Sequence, residues 1–447
     1  MFIISRVRLT YTQIIAIGTF LFIIIGGILL SLPISSRDGT YTPFINSLFT
    51  AGSAFCITGL IVYDTYAHWS LFGQLVILTL IQIGGLGFMT FITLFSMFLR
   101  RKISLRERRL LMESANTMKI GGIILLIKRI IKGTLIFEGL GTLILTIKFY
   151  PEMGLIRGFY NGLFHSVSAF CNAGFDIMGK YGQFTSLTRY SDDITVNVTI
   201  ATLIVIGGIG FVVWDDIAKN KFNFNKYLLH SKIVLTTTFI LIIGAAALFF
   251  IIESNDSMAG MGTKEKLLSS FFQSITPRTA GFNTLDITKL SEAGSFLTIL
   301  LMIVGGSPGS TAGGIKTTTF VALIFSALSS AKKTPEISVF KRRIEDSAIK
   351  KAGSITVIYL LVTIFSIFII SATQDFSLNQ VIFEVYSAAG TVGLSMGITP
   401  YLNNLSKTII IFLMYFGKVG SLSMALAFGE HKEAVLIMRP IEKISIG

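Results

Sequence analysis

Charged residues are scarce in this sequence. Asp, Glu, Lys and Arg together make up only 14% of the chain, whereas hydrophobic residues make up 52%. Soluble globular proteins carry roughly 25% charged residues. The composition therefore excludes an ordinary soluble domain and indicates a protein that lies in a lipid bilayer.

Cysteine and histidine are also rare. The two cysteines, Cys56 and Cys171, are too few for a disulfide scaffold, and no C-x-x-C or His/Cys cluster suggests a metal site. We interpret both cysteines as small buried packing residues. Glu138 is the one acid inside a predicted membrane span, so the sequence offers no pair of carboxylates at membrane depth. We expect neither enzyme activity nor a cofactor bound by this chain.

Long apolar runs are abundant. A run of about 20 residues spans the ~30 Å hydrocarbon core of a bilayer, and the sequence contains eight: Tyr11–Leu32, Gly73–Leu99, Ile127–Tyr150, Val196–Val213, Ser231–Ile252, Phe296–Leu328, Ala352–Ala372 and Thr408–Phe428. Shorter segments of 10–14 residues predict re-entrant helices, and there are four: Phe44–Phe55, Phe159–Phe170, Lys266–Thr276 and Gln380–Ala389. The pattern predicts an all-α polytopic membrane protein.

The distribution of charge predicts the orientation in the membrane. With a cytoplasmic N-terminus, the cytoplasmic segments hold 26 of the 38 Lys and Arg residues and 10 of the 24 acids. This excess follows the positive-inside rule and places both termini in the cytoplasm. It also explains the net charge of +14 without nucleic acid, because basic loops face anionic lipid. The basic stretch Arg100–Arg109 is therefore interpreted as a loop next to the membrane.

One unit recurs four times. Four segments align without gaps around a glycine, with a phenylalanine ten residues before it; the glycines, Gly59, Gly174, Gly281 and Gly393, are 115, 107 and 112 residues apart. Each unit reads as a span, a re-entrant helix with a loop, and a second span (M1–P-loop–M2). We expect a pseudo-fourfold arrangement of eight spanning and four re-entrant helices around one central pore. The predicted divisions are repeat 1 (1–100), repeat 2 (112–220), repeat 3 (227–330), repeat 4 (345–430) and a cytoplasmic tail (431–447).

Four such loops suit the passage of a cation. A dehydrated cation needs substitute oxygens, which a ring of backbone carbonyls supplies. Glycine allows the left-handed backbone angles that turn carbonyls toward one axis. The predicted selectivity filter, which binds K⁺ through its carbonyls, consists of Cys56, Ile57, Thr58, Gly59, Cys171, Asn172, Ala173, Gly174, Arg278, Thr279, Ala280, Gly281, Gly390, Thr391, Val392 and Gly393.

The segment Gly306–Thr319 comes within one residue of a phosphate-binding loop. That motif needs its lysine directly after the last glycine and a preceding strand, whereas Ile315 intervenes here and the flanks are apolar. We instead expect the second span of repeat 3 to unwind at about Gly305–Gly314 and to place a gate beneath the filter. The predicted gate residues are Gly305, Gly306, Ser307, Pro308, Gly309, Ser310, Thr311, Ala312, Gly313, Gly314, Lys316 and Lys418. Lys316 and Lys418 either reach water or hold the loop closed.

The four glycines, the GGSPGSTAGGIKT segment, Glu138 and the ending RPIEKISIG resemble the Trk/Ktr/HKT potassium transporters, in particular the membrane subunit of bacterial Ktr systems. The resemblance implies a homodimer in the bacterial plasma membrane that takes up K⁺ and is activated by Na⁺. It also implies a cytoplasmic RCK/KTN-type ring that binds ATP or ADP. Gly59, where Na⁺-preferring relatives carry serine, implies K⁺ selectivity; the alternative is a Na⁺ or broad monovalent cation transporter of the same fold.

Several individual residues stay open at this point. Lys418 stands where the family usually has arginine, which implies a weaker contact in the closed state. Arg278 would repel a cation, so we expect it to point away from the pore and to pair with Glu384 or Asp286. Glu138 either contacts another helix or filter loop or binds an ion. We interpret His165 as a packed core residue.

Overall fold

The computed structural model describes residues 10–87, 89–91, 93, 107, 109, 111–112, 122–221, 223–334, 336–420 and 424. Its α-helices are α1 (Tyr11–Ser31), α2 (Phe44–Phe55), α3 (Thr65–His68), α4 (Leu71–Leu86), α5 (Ile123–Phe170), α6 (Ile194–Gly208), α7 (Phe211–Asn220), α8 (Leu229–Glu253), α9 (Thr263–Ile275), α10 (Glu292–Ile303), α11 (Thr317–Ala331), α12 (Asp346–Thr373), α13 (Leu378–Gly390) and α14 (Asn404–Val419). Short 3₁₀ turns lie at Pro33–Ser35, Thr188–Tyr190, Phe224–Lys226, Ile287–Lys289 and Thr399–Tyr401.

Some sequence predictions lie outside these residues. They are most of the basic stretch Arg100–Arg109, the distal ends of the predicted spans Gly73–Leu99 and Thr408–Phe428, and the tail 431–447.

Among the described residues, four helices are long and apolar enough to cross a bilayer, α1, α5, α8 and α12, and the bent pair α6–α7 makes a fifth if it is one span. Their outward faces are apolar; Phe239 on α8 and Phe368 on α12, for example, are 67% and 69% exposed. The interior, by contrast, holds many buried serine and threonine side chains. Apolar side chains on the outside and small polar ones on the inside fit a protein whose surroundings are lipid.

Short polar side chains begin many of these helices. At Thr10 and Ser377 the hydroxyl accepts from the backbone N–H three residues on, and a glutamine there accepts from the cap N–H in return. Each such cap satisfies backbone groups that a membrane could not. The helix bounds therefore follow local sequence signals.

The helix α5 contains both the first span and the re-entrant helix of repeat 2. Gly154 has a non-helical backbone (φ +75°) and lies three residues after Pro151, so two helices meet at a kink. The part after the kink ends at Phe170, as the sequence predicted for Phe159–Phe170.

The predicted span Val196–Val213 is bent. The axes of α6 and α7 differ by 95°, and the chain bends at Ile209 and Gly210. Gly210 has a φ of +94°, a conformation that ends a helix at little cost only for glycine. The all-α prediction misses a small hairpin, in which β1 (Ser338–Val339) pairs with β2 (Arg342–Arg343).

The gapless alignment of the four repeats is also wrong by one residue in repeat 3. There the phenylalanine ten residues before the glycine, Phe271, is 38% exposed, and its neighbour Phe272 takes the buried position. The loop hydrogen bond also differs there: the N–H groups of Ala280 and Gly281 bond to the carbonyl of Thr276, five residues before the glycine. In the other repeats the bonded carbonyl lies six residues before the glycine.

Candidate functional site

Four glycines lie at the ends of the loops that follow α2, α5, α9 and α13. All four have left-handed φ angles: Gly59 (+93°), Gly174 (+69°), Gly281 (+84°) and Gly393 (+95°). A side chain there would be strained. The sequence identified these positions by their repetition, and the backbone angles supply the reason for glycine.

The four loops meet one another in a ring. Each glycine lies against the carbonyl oxygen of the residue that precedes the glycine of another loop: Gly59 against Ala173, Gly174 against Ala280, Gly281 against Val392, and Gly393 against Thr58. The order runs from the first loop to the second, third and fourth and back to the first, so the contacts close a cycle. This arrangement brings four backbone carbonyl groups to one centre.

A second left-handed residue precedes each glycine by two positions. These residues are not glycines: Ile57 (φ +55°), Asn172 (+57°), Thr279 (+77°) and Thr391 (+51°). All four are fully buried. Non-glycine residues adopt such angles only where the surrounding structure holds them there. Sequence reasoning missed this feature, because three of the four residues are β-branched and such side chains disfavour left-handed angles.

The loops are anchored to their own helices by a repeated hydrogen bond. The N–H groups of Thr58, Ala173 and Val392 donate to the carbonyls of serines five residues earlier, each at 2.8 Å. In the first and fourth loops the serine hydroxyl also accepts from the glycine N–H, as for Ser53 and Gly59 at 3.0 Å. Because the N–H groups are directed back to the helix, the loop carbonyls are free to face elsewhere.

Beneath one side of the ring, α10 and α11 are separated by a non-helical segment, residues 304–316, which we call the intramembrane loop. It corresponds to the break that the sequence predicted at Gly305–Gly314. Three backbone hydrogen bonds attach it to the α6–α7 bend: Ser307 N to Gly208 O (3.0 Å), Phe211 N to Gly309 O (2.8 Å) and Thr311 N to Gly207 O (3.3 Å).

Two lysines also hold the intramembrane loop. The Nζ of Lys316 donates to the carbonyl of Ala312 at 2.7 Å, and the Nζ of Lys418 donates to that of Thr311 at 3.4 Å. Both side chains border a 390 Å³ cavity that is also lined by Phe55, Gly84 and Gly314. The sequence left two roles open for these lysines, reaching water or holding the loop closed. In the structure both ammonium groups donate to carbonyl groups of the intramembrane loop.

A known protein family matches nearly the whole chain. A model of the family described as TrkH, cation transport protein, matches residues 10–436. The chain belongs to this family. It is therefore a multi-pass helical membrane protein of a transporter family, and not an enzyme.

Two relatives of the TrkH family match almost end to end. The potassium/sodium uptake protein NtpJ of Enterococcus hirae is 41% identical over 99% of this chain and 98% of its own length. The Ktr system potassium uptake protein B of Bacillus subtilis is 42% identical over 97% of this chain and 96% of its own. The potassium transporter TrkH of Vibrio parahaemolyticus, a solved structure 15% identical to the chain, shares the fold with a TM-score of 0.76 over 95% of this chain and 86% of its own.

Glu138 of this TrkH-family chain lies behind the second loop. Its carboxylate accepts from the amide of Gln82 at 3.2 Å, and the thiol of Cys171 lies 3.9 Å from its other oxygen. Gln82 is on α4 and Cys171 ends α5, so the carboxylate joins the inner helix of one predicted repeat to the loop of the next. The sequence left the role of Glu138 open, and the structure shows contacts to a helix and a loop.

The prediction that Arg278 pairs with Glu384 or Asp286 is wrong. The guanidinium of Arg278 is buried and lies 3.4 Å from the hydroxyl of Thr238 on α8, with no acidic partner among the described residues. The carboxylate of Glu384 instead accepts hydrogen bonds from two hydroxyls, and Asp286 forms an ion pair with Lys289. The remaining polar predictions agree: both cysteines are buried free thiols, and His165 is buried with its Nδ1 2.7 Å from the carbonyl of Asn161.

Glu384 holds the outer part of the fourth loop. Its carboxylate is 1% exposed and accepts from the hydroxyls of Ser395, at 2.7 Å, and Thr399. Both hydroxyls lie beyond Gly393, so the carboxylate connects α13 to the chain that leaves the ring. Among the described residues no group of three or more His, Cys, Asp or Glu could hold a metal ion.

Glu384→Ala should therefore lower the stability of the folded protein. The substitution removes the carboxylate acceptor of the buried Thr399 hydroxyl and of the half-buried Ser395 hydroxyl, and the loss of a buried acceptor costs about 1–3 kcal/mol. We expect a lower midpoint of thermal unfolding for the purified protein in detergent. Thr373→Ala is the control, because its exposed hydroxyl bonds only to carbonyls of its own helix. Equal midpoints for the two variants would contradict the role of Glu384.

Proposed function

We propose that this protein takes up K⁺ through the centre of the four-loop ring, with the four M1–P-loop–M2 units arranged in pseudo-fourfold symmetry around one pore. The observation that carries the proposal is the closed cycle of carbonyl contacts among Gly59, Gly174, Gly281 and Gly393. Rings of backbone carbonyls replace the hydration shell of a cation. The names of the relatives, potassium/sodium uptake protein and potassium uptake protein B, support K⁺ as the ion.

The helices that lead into the loops favour a cation over an anion. α2, the second part of α5, α9 and α13 all end where their loops begin. The C-terminal end of a helix carries a partial negative charge of about half an elementary charge. Four such ends directed at one centre stabilise a positive ion there. No lysine or arginine is required in the ring, and the buried Arg278 side chain contacts α8.

In this proposal the intramembrane loop is the gate. It lies on the 390 Å³ cavity together with Lys316 and Lys418, and its carbonyls accept from both ammonium groups. A cation leaving the ring on that side would meet two positive charges and a loop that is held by hydrogen bonds. Release of the loop would remove the second of these obstacles.

The regulation and assembly follow from the relatives as proposals. A protein of a Ktr system works with further components, so we propose a cytoplasmic nucleotide-binding ring as partner, a homodimer as the assembled form, and activation by Na⁺. The predicted positive-inside orientation places both termini on the side of that ring. Purification with the neighbouring gene product, followed by a mass measurement with and without ATP, tests the partner and the homodimer.

Growth at low external K⁺ tests the proposed transport. Expression of the chain with its regulatory subunit in a bacterium that lacks K⁺ uptake should restore growth and the uptake of ⁸⁶Rb⁺. The matched control is the same system carrying Gly393→Ala, whose methyl group would lie within the ring. Failure of the unaltered chain to restore uptake, when it is present in the membrane, would overturn the proposal.

The second candidate function is transport of Na⁺ or of several monovalent cations. The loops differ from one another, with Thr58, Ala173, Ala280 and Val392 before the four glycines, and one relative is named for potassium and sodium. Competition between Na⁺ and ⁸⁶Rb⁺ uptake distinguishes the two. Strong inhibition by equimolar Na⁺ would favour the broader transporter.

Gly59→Ser should reduce the preference for K⁺ over Na⁺. Gly59 has a φ of +93°, and a Cβ there would lie 2.6 Å from the carbonyl oxygen of Ala173, so the carbonyl must move. We expect about a tenfold fall in selectivity, which corresponds to ~1.4 kcal/mol. The measurement is the concentration of Na⁺ that halves ⁸⁶Rb⁺ uptake, and an unchanged value would remove Gly59 from the filter.

A further inference from the structure

The α6–α7 bend encloses an apolar pocket on its side toward α5. The pocket has a volume of 430 Å³, and its lining includes Leu126, Phe137, Ile206, Phe211 and Trp214. The indole of Trp214 packs against Phe137 and Phe211 with ring centroids 5.3 and 5.1 Å apart, and its N–H donates to the carbonyl of Ile206 at 3.0 Å. The lining is therefore aromatic and held in place.

One edge of this pocket is positively charged. Arg129 on α5 and Lys219 on α7 both pair with the single carboxylate of Asp215, so one positive charge is left over. The side chains of Arg129 and Lys219 are 49% and 62% exposed. Lys128 and Lys132, within one turn of Arg129 on the same helix, are exposed and do not line the pocket.

We propose that this pocket binds an anionic phospholipid, with an acyl chain against Phe137 and Trp214 and the phosphate at Arg129 and Lys219. The combination of an apolar pocket and a basic edge fits a molecule with an apolar tail and an anionic head. The charge distribution predicts that this edge faces the cytoplasmic leaflet, where anionic lipids attract basic segments. An acidic peptide would satisfy the cations and leave the apolar pocket empty.

The position of the pocket links the bound lipid to the intramembrane loop. Phe211 contributes its ring to the pocket and its backbone N–H to the carbonyl of Gly309. A lipid that packs against Phe211 and Trp214 therefore stabilises the bend on which the intramembrane loop is held. This consequence for transport rests on the proposed function, whereas lipid binding itself does not.

Tryptophan fluorescence tests the binding. The sequence contains two tryptophans, and Trp69 is fully buried. The full chain is reconstituted into two kinds of phosphatidylcholine vesicle. One contains acyl-brominated phosphatidylglycerol and the other contains the same fraction of acyl-brominated phosphatidylcholine, and the bromine quenches nearby tryptophan. The signal of the Trp214→Phe variant is subtracted, so that the difference reports Trp214. We expect quenching of Trp214 to give an apparent affinity about fivefold higher for phosphatidylglycerol than for phosphatidylcholine. One uncompensated basic side chain contributes about 1 kcal/mol beside an anionic headgroup, which corresponds to about this factor.

Charge variants make the test specific. Arg129→Gln leaves Lys219 and Asp215 as a neutral pair, so the preference for phosphatidylglycerol should disappear. Asp215→Asn adds net positive charge, so the preference should increase. Lys289→Gln, which removes an exposed lysine from a distant loop, should leave it unchanged.

Three results would overturn the proposal. Equal quenching by the two lipids would show that no anionic headgroup is selected. Absence of quenching, with Trp214 also shielded from acrylamide, would show that protein closes the pocket. A preference that survives Arg129→Gln and ignores Asp215→Asn would place the headgroup elsewhere. Loss of ⁸⁶Rb⁺ uptake in every lipid, with quenching intact, would count against the proposed transport function alone.

Discussion

Gly393→Ala should abolish K⁺ uptake, whereas Gly397→Ala should leave it nearly unchanged. A Cβ on Gly393 would lie 2.2 Å from the carbonyl oxygen of Thr58 and 2.9 Å from the Cα of Gly59. Both are backbone atoms of another loop, so the ring must open to admit the methyl group. We expect ⁸⁶Rb⁺ uptake to fall by about a hundredfold, which corresponds to ~2.7 kcal/mol in the barrier.

Gly397 separates the effect of the ring from that of backbone strain. Its φ of +86° is close to the +95° of Gly393, so alanine meets a similar local penalty of ~1–2 kcal/mol at either position. The nearest atom to a Cβ on Gly397, however, is the methyl group of Thr288 at 3.7 Å, an ordinary contact. Equal loss of uptake in both variants, at equal abundance in the membrane, would show that strain and not the carbonyl ring is responsible.

The repetition in the sequence was enough to place the four short helices α2, the second part of α5, α9 and α13, and the loops that follow them. The re-entrant segment predicted at Phe44–Phe55 has the bounds of α2, and the break predicted at Gly305–Gly314 lies within residues 304–316. These features depend on local signals: apolar length, glycine, and a pattern that recurs at regular intervals. Because each repeat carries the same signals, an uncertain interpretation of one is corrected by the others.

The same repetition concealed the features in which the repeats differ. A gapless alignment places Phe271 in register with Phe49, Phe164 and Phe383, whereas the buried phenylalanine of repeat 3 is Phe272. The left-handed residue two positions before each glycine is isoleucine in the first loop, asparagine in the second and threonine in the third and fourth. No propensity of isoleucine, asparagine or threonine predicts a backbone that tertiary contacts impose.

Partners that lie far apart in the sequence could not be predicted from it. The carboxylate of Glu384 accepts from hydroxyls 11 and 15 residues away, and the intramembrane loop bonds to a bend about 100 residues earlier. Arg278 was expected to find an acid, but it contacts Thr238. Burial in a folded membrane protein decides these pairings, and charge complementarity alone suggested the wrong ones.

Deletion of residues Gly306–Gly313 should raise K⁺ flux. The chain can close over the deletion, because a Cβ on Gly314 would lie only 3.6 Å from the Cα of Gly305, and Gly305 N already donates to the carbonyl of Ile315 at 2.9 Å. The deletion removes the three backbone hydrogen bonds to the α6–α7 bend and the two carbonyls that accept from Lys316 and Lys418.

The expected size follows from the bonds that are lost. At about 0.5–1.5 kcal/mol for each backbone hydrogen bond, three bonds give at least ~1.4 kcal/mol, which is about a tenfold change in the closed-to-open ratio. The measurement is ⁸⁶Rb⁺ flux into vesicles that contain the purified deletion variant, at matched protein content. Flux equal to or below that of the unaltered protein would mean that the intramembrane loop is not a gate.

Gly210→Ala perturbs the same contact from the other side without shortening the chain. A Cβ on Gly210 would lie 2.9 Å from the carbonyl oxygen of Pro308, so the intramembrane loop must move away from the bend. Gly260→Ala is the matched control, since its φ of +83° is similar to the +94° of Gly210 and no atom lies within 4 Å of its Cβ. Backbone strain is common to both variants. A rise in flux for Gly210→Ala but not for Gly260→Ala would therefore show that the contact between the intramembrane loop and the bend keeps the gate closed.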